Sequence, residues 1–241
     1  MVAAVAVVVV LLARSCAPTA APGPAGGAQA SEPGNLALLP ETAKPLGATS
    51  DYGIELGQDG VPGGAPADSA IRVDVISDYI CPFCQRFAQE VGPGLEEALA
   101  AGQIRLVVHP LGYLDQMSTT GYSSRAAKAA VTVAALDPTH FSAFDQALWD
   151  SQPPEGGPGL SDEELADLAL KAGVKPDVAD RLAGEDYAAW VEQGTKLIVG
   201  SEGFQGTPWV LIGNGETAYQ WNWSEGDLQA AIAKVAAGQA P

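Results

Sequence analysis

Asp78-Tyr79-Ile80-Cys81-Pro82-Phe83-Cys84-Gln85-Arg86-Phe87 decides how this chain is read. The β-branched run Ile71-Arg72-Val73-Asp74-Val75-Ile76 leads into it and predicts a buried strand. Phe87, Val91 and Leu95 leave it at helical spacing, so the two cysteines stand at a strand-to-helix junction. Three apart on one side of the first turn, their backbones lie about 5–6 Å from each other, a separation that a disulfide spans. Pro82 suits the first helical position, where its missing N–H costs nothing. The free N–H groups and the dipole of that helix point at Cys81 and favour its thiolate, the attacking form. The stretch reads as a dithiol switch, and the rest of the chain as its holder.

With 241 residues and 47% hydrophobic content, the chain holds one large domain or two small ones and has ample material for a core. Charged residues make up only 17%, and apolar periodicity is frequent, which excludes global disorder. A net charge of −17 excludes a nucleic-acid binder, because no basic stripe is present to neutralise phosphates. Of three cysteines, Cys16 stands in a different kind of segment. That leaves one pair and no framework of structural disulfides.

Residues 1–16 read as a signal or anchor segment. Val2 to Ala13 is uninterrupted apolar, shorter than the about 20 residues that span a bilayer, and resembles a signal-peptide core. No basic residue precedes it, so the reading places either an upstream start or the terminal amine there. Leu12-Ala13-Arg14-Ser15-Cys16 resembles a bacterial lipoprotein box, with Arg14 out of pattern. Cys16 is therefore read either as a lipid attachment point or as an incidental cysteine. Residues 17–50 form a linker, rich in Ala, Pro and Gly to about Ala30, which suits a flexible spacer. Leu36, Leu38 and Leu39 within it are candidates to dock on the folded part.

Residues 51–241 are expected to fold as one α/β domain. Tyr52 to Leu56 reads as an edge strand, and the catalytic strand and a single helix run from Ile71 to about Ala101. Gly102 ends that helix, and Ile104 to Val108 form a strand parallel to the first, by a right-handed crossover. A helical block follows at about 113–203. It contains a small-residue helix from Ser123 to Leu136, a second marked by Phe141, Phe144 and Leu148, and a capping box at Ser161-Asp162-Glu163-Glu164. A short turn of helix after Pro176 and a helix through Tyr187, Trp190 and Leu197 to Val199 complete it. Asn214-Gly215 between Trp209–Ile212 and Ala218–Trp221 predicts a hairpin, and a capped helix from Ser224 to about Ala237 ends the chain.

Cys81-Pro82-Phe83-Cys84 at a strand–helix junction, followed much later by Gly206-Thr207-Pro208 opening a strand, resembles the DsbA-like branch of the thioredoxin superfamily. More narrowly, it is similar to exported thioredoxin-4 type proteins of actinobacteria. The resemblance covers roughly Tyr52 to Ala237 and includes Ser77-Asp78-Tyr79 and Tyr122-Ser123-Ser124-Arg125. It implies a thioredoxin-like fold, a central mixed sheet flanked by helices, with the helical block as an insertion. It implies that Pro208 is cis and faces the cysteine pair, and that Thr207 pairs its backbone with an extended substrate. Cys81 becomes the nucleophile and Cys84 the resolving thiol, with no cofactor. Two departures stand out. The buried acid that many relatives place six residues before the first cysteine is Val75 here, with Asp74 and Asp78 directed elsewhere by strand alternation. Pro82-Phe83 brings no histidine, so a potential between about −270 and −120 mV is expected.

The resemblance also implies a place in the cell envelope, by N-terminal anchor or lipid, or secretion if the signal is cleaved. Partners would be unfolded or reduced exported proteins and a membrane re-oxidant of the vitamin K epoxide reductase-like or DsbB-like kind, with the chain a monomer. Oxidation of clients is the favoured direction. The alternatives are reduction or isomerisation of envelope disulfides through the same residues, and a tethered chaperone-like module with an idle disulfide. A narrower rival is a dedicated reductase for cytochrome maturation or another single client. A zinc site would need two ligands beyond the cysteines, and His109 and His140 lack the spacing, so no metal is expected. Both histidines read as satisfied structural residues. Trp209, Trp221 and Trp223 read as packing around the hairpin. Phe83, between the cysteines at a helix tip, reads with Pro82 as part of the substrate-binding rim.

Overall fold

The computed structural model describes residues 44–241. The apolar leader, Cys16, the three linker leucines and the remainder of the linker to 43 lie outside the described residues. Five strands form one mixed sheet. Strand β2 (Arg72–Ser77) is its centre, parallel to β3 (Arg105–Pro110) on one side and antiparallel to β4 (Trp209–Gly213) on the other. The edges are β1 (Ile54–Leu56), antiparallel to β3, and β5 (Ala218–Gln220), antiparallel to β4. Val73 and Val75 on one face of β2 and Ile76 on the other are all buried, as expected for a strand covered on both sides. Chain packing is already present at Ala48, which bridges to Ile54.

The helix after the cysteines is two helices, not one. Helix α1 (Pro82–Glu90) stops at Val91, which closes it with an N–H bond to Phe87 at 2.8 Å and opens α2 (Gly92–Ala100). Gly92-Pro93-Gly94 explains the break. Pro93 has no N–H to give and its ring collides with the carbonyl one turn back, so a continuous ladder is impossible there. Of the three residues that the sequence spacing put on one buried side, Phe87 and Leu95 are buried and Val91, at the break, is half-buried.

Between β3 and β4 the chain is helical: α3 (Tyr122–Leu136), α4 (Phe141–Asp150), α5 (Asp162–Lys171), α6 (Pro176–Ala179) and α7 (Ala188–Val199). Helix α3 is its hub, buried along nearly its whole length. Ala126, Ala127, Ala130 and Ala134 let Phe144, Leu148, Trp190 and Val191 of α4 and α7 press close. Ser161 caps α5 reciprocally, taking the Glu164 N–H at 3.1 Å while Glu164 takes the Ser161 N–H at 2.7 Å. The last helix, α8 (Leu228–Ala236), begins later than expected. Its cap is Asp227, which accepts the Ala230 N–H at 2.8 Å, whereas Ser224 bonds Asn222 in the preceding turn. Gly226, between the two, interrupts any earlier helical start.

Candidate active site

Strand β2 ends at Ser77 and hands the chain, through Asp78, Tyr79 and Ile80, to the first turn of α1. Cys81 is the N-cap residue with extended dihedrals, φ −73° and ψ 117°, and Pro82 opens the helix. The main chain closes at once, with the Cys84 N–H on the Cys81 carbonyl at 3.0 Å and the Cys81 N–H on the Asp78 carbonyl at 3.0 Å. The register of β4 on β2 pairs Ile76 with Trp209, which brings Thr207 and Pro208 to the cysteine end of the sheet. Cys81 Sγ lies 3.3 Å from the Thr207 carbonyl oxygen, across 126 residues of sequence. The Thr207–Pro208 peptide bond is cis. The two segments that the sequence analysis joined therefore meet.

Both cysteines are free thiols, with Cys81 4% and Cys84 1% exposed. The first sulfur is thus reached along a narrow line, whose rim is the exposed Pro82 and a Phe83 that is 61% exposed. On one flank Trp223 packs edge-on against Phe87 at 5.5 Å and carries the Arg86 guanidinium over its ring at 5.5 Å. On the other, Gln152 after α4 donates its amide to the carbonyls of Tyr79 and Cys81, each at 3.0 Å, and Gln85 donates to the Trp149 carbonyl at 2.7 Å. The helical block thereby braces the turn that holds the sulfurs.

Electrostatics separate the pair. The Cys84 S–H donates to Cys81, and with the Thr207 side chain and the N–H groups of Cys84 and Phe83 it brings the Cys81 pKa down to about 6, against the opposing effect of burial. Burial, and that same donation, push the Cys84 thiol well above its ordinary range. Thr207 Oγ1 is buried without a closed hydrogen bond in the dithiol form, so its proton is free to turn to a thiolate at Cys81. The arrangement provides one sulfur ready to attack and one that keeps its proton.

Asp78 is a site residue that the sequence reading set aside. Strand alternation directed it away from the cysteines, but β2 has ended at Ser77 and alternation no longer applies. It is fully buried, with its carboxylate taking the Ile80 N–H at 3.0 Å and the Leu114 N–H at 2.8 Å. Burial raises its pKa to about 6, against those bonds. It latches the cysteine turn to the segment after β3. The available signal was an Asp two residues before an apolar N–H, the pattern of a local side-chain turn.

Val75 is indeed apolar at its strand position and lines a cavity of about 440 Å³ together with Cys84. Asp74 points to the other face, where Arg72 bonds both Asp74 and Asp51 and His109 Nε2 sits 2.8 Å from Asp74 Oδ1. Asp51, Asp74 and His109 bring ligand-type atoms within 4.8 Å of one another, but the guanidinium already occupies that place as the cation. His109 is only half satisfied, since its Nδ1 is buried without a partner. His140 pairs with Asp137 at 3.0 Å, remote from either cluster in its partners. Trp209 and Trp221 are buried packing residues, as expected. Among the described residues no helix is long and apolar enough to cross a membrane.

Comparison with known proteins agrees with this geometry. A family model described as thioredoxin, Thioredoxin_4, matches residues 64–234. The serine/threonine-protein kinase PknE of Mycobacterium tuberculosis is 31% identical over 191 residues, which cover 75% of this chain and 34% of the kinase. The chain spans about a third of the length of the curated relatives it matches. Oxidised DsbA of M. tuberculosis is 27% identical with a TM-score of 0.62, over 78% of this chain and 94% of that one. The reduced disulfide bond oxidoreductase DsbG of the same organism also gives 27% and 0.62, over 80% and 91%. The thiol-disulfide oxidoreductase MdbA of Actinomyces oris is similar in fold, at 21% identity and a TM-score of 0.60, over 83% of this chain and 91% of that one.

Proposed function

The chain belongs to the thioredoxin family, in its DsbA-like branch, and on that premise we propose that it introduces disulfides into exported proteins through Cys81 and Cys84. It is a protein thiol–disulfide oxidoreductase with a thioredoxin-like fold. One observation carries the reading: a Cys81 sulfur with a pKa of about 6 lies 3.3 Å from Thr207, beside an exposed Phe83.

A client thiolate attacks Cys81 Sγ of the Cys81–Cys84 disulfide, and the electron pair of the broken S–S bond leaves on Cys84, which takes up a proton. A second client thiolate then attacks the client sulfur, the client disulfide forms, and Cys81 departs as a thiolate. Its low pKa makes Cys81 the better leaving group, which favours donation of the disulfide over retention. Thr207 presents main-chain groups to an extended client, and Pro82, Phe83 and Pro208 form the apolar ground under it. The enzyme works in the cell envelope, held by residues 1–16 or by a lipid on Cys16, and a membrane protein re-oxidises it.

The test is paired. Cys84→Ser accumulates mixed disulfides with exported proteins, and Cys81→Ser accumulates none. Refolding of a reduced, disulfide-containing client then fixes the direction: the oxidised wild type restores it and Cys81→Ser does not. Insulin reduction outpacing refolding would assign the site to reduction, and equal behaviour of wild type and Cys81→Ser would leave a binding module. The redox potential is expected between about −270 and −120 mV.

A further inference from the structure

Cys84 must gain and lose a proton in every cycle, yet its thiol is buried and its pKa is raised by that burial. The wall behind it is the cavity of about 440 Å³, which Cys84 shares with Val75, Tyr79, Phe87, Asp145 and Trp149. Val75 offers it no polar atom. Asp145 projects from α4 into the same space, one oxygen accepting from the Tyr79 hydroxyl and the other from Trp149 Nε1 at 3.1 Å. Each carboxylate oxygen keeps a second lone pair. Tyr79 stacks on Trp149 at 4.5 Å between rings, which fixes both donors. A volume of this size admits water, and Asp145, the Tyr79 hydroxyl and Ser77 give such water the polar partners it needs.

We propose that Asp145 is the proton acceptor and donor for Cys84, acting through water in this cavity, in the disulfide exchange proposed above. When the Cys81–Cys84 disulfide opens, protonated Asp145 passes its proton to the departing Cys84 sulfur, which lets the S–S electron pair leave on a neutral thiol. When the disulfide re-forms from a mixed disulfide, carboxylate Asp145 takes the Cys84 proton. The Cys84 sulfur then attacks Cys81 Sγ, and the partner leaves as a thiolate. Asp145 is a positioning residue in this scheme, since it reaches the sulfur through water.

The electrostatic surroundings suit the task. Burial holds Asp145 at a pKa of about 6, against the hydrogen bonds of Tyr79 and Trp149 and with help from Glu96 of α2. Asp59 after β1 also lines the cavity, and no Lys, Arg or His does so among the described residues, so nothing cationic traps the carboxylate. Asp78 is the rival acid. Its main chain bonds Cys84, but its carboxylate is clamped by two main-chain N–H groups and does not line the cavity.

The experiment uses the full chain with glutathione linked to Cys81, and follows glutathione release as Cys84 closes the disulfide, from pH 5 to 10. Asp145→Asn is expected to slow release about 10- to 100-fold near neutrality, with the deficit narrowing as pH rises and hydroxide takes over the proton. The alkylation profile of Cys81 stays in place, and Val75→Asp in the Asp145→Asn chain restores part of the rate from the opposite wall. Identical pH profiles for wild type and Asp145→Asn overturn the assignment. Should Asp145→Asn lose its near-UV circular dichroism, carbon-13 titration of Asp145 in the wild type decides instead. Its midpoint must move between the oxidised and reduced chain, and a midpoint indifferent to redox state overturns the assignment. Wild type that releases glutathione but oxidises no protein client refutes the functional reading alone, whereas wild type that never releases it refutes both.

Discussion

At the scale of single residues, Cys81 and Cys84 show how position divides two identical side chains. Cys81 takes hydrogen bonds from Cys84, from Thr207 and from a helix start, whereas Cys84 is held protonated by burial and by donating to Cys81. Alkylation of Cys81 by iodoacetamide should therefore rise with a midpoint near pH 6, against 9.0 for an ordinary cysteine on the same scale. Thr207→Val removes the hydroxyl that faces the thiolate, so that midpoint should move upward. The same change should leave thermal stability unchanged or slightly higher, because the lost hydroxyl has no closed bond in the dithiol form. The cysteines, Thr207 and Pro208 were legible in the sequence because a local motif and a resemblance carry them. Asp78 and Asp145 were not. Each owes its altered pKa to burial by segments distant in sequence, and periodicity reports which face a residue occupies, not what arrives there later.

Elements were legible where their ends carry chemistry. Ser161 and Glu164 advertised α5, and the reciprocal bonds are present. Ser161→Ala should cost about 1 kcal/mol of stability, seen as a lowered denaturation midpoint with an unchanged denaturant slope. Asp227→Ala should act similarly on α8, which covers β4. The missed break between α1 and α2 has the opposite cause. Hydrophobic spacing continues through Phe87, Val91 and Leu95, so the apolar pattern hides a backbone interruption that only the chemistry of Pro93 discloses. Ser224 misled for a related reason: it is a good capping residue, but a glycine follows before the apolar face begins.

For the molecule as a whole, the shifted groups predict a pH profile of stability. Asp78 and Asp145 have pKa values raised to about 6 from 3.8, so the folded chain holds more protons than the unfolded one between those values. Their contribution falls as pH rises through that window. Cys81 is lowered to about 6 from 9.0, so in the reduced chain its contribution rises between pH 6 and 9. The melting temperature of the reduced chain should gain on that of the oxidised chain across the second window, where the disulfide has no thiol to ionise. Scanning calorimetry of both forms from pH 4 to 9 checks the sign, and parallel curves would contradict the low pKa of Cys81.

The contact of Cys81 with Thr207, across 126 residues, also sets the moment in synthesis at which the surroundings of the sulfur are complete. A chain made from its N-terminus shows Cys81 to its surroundings long before Thr207 exists. At that stage the sulfur can have the neighbouring thiol and the helix start, but it lacks the Thr207 hydroxyl. When β4 slots beside β2, Thr207 adds the last of the groups that make the sulfur acidic. Birth order thus leaves the acidity of the sulfur incomplete until the sheet closes.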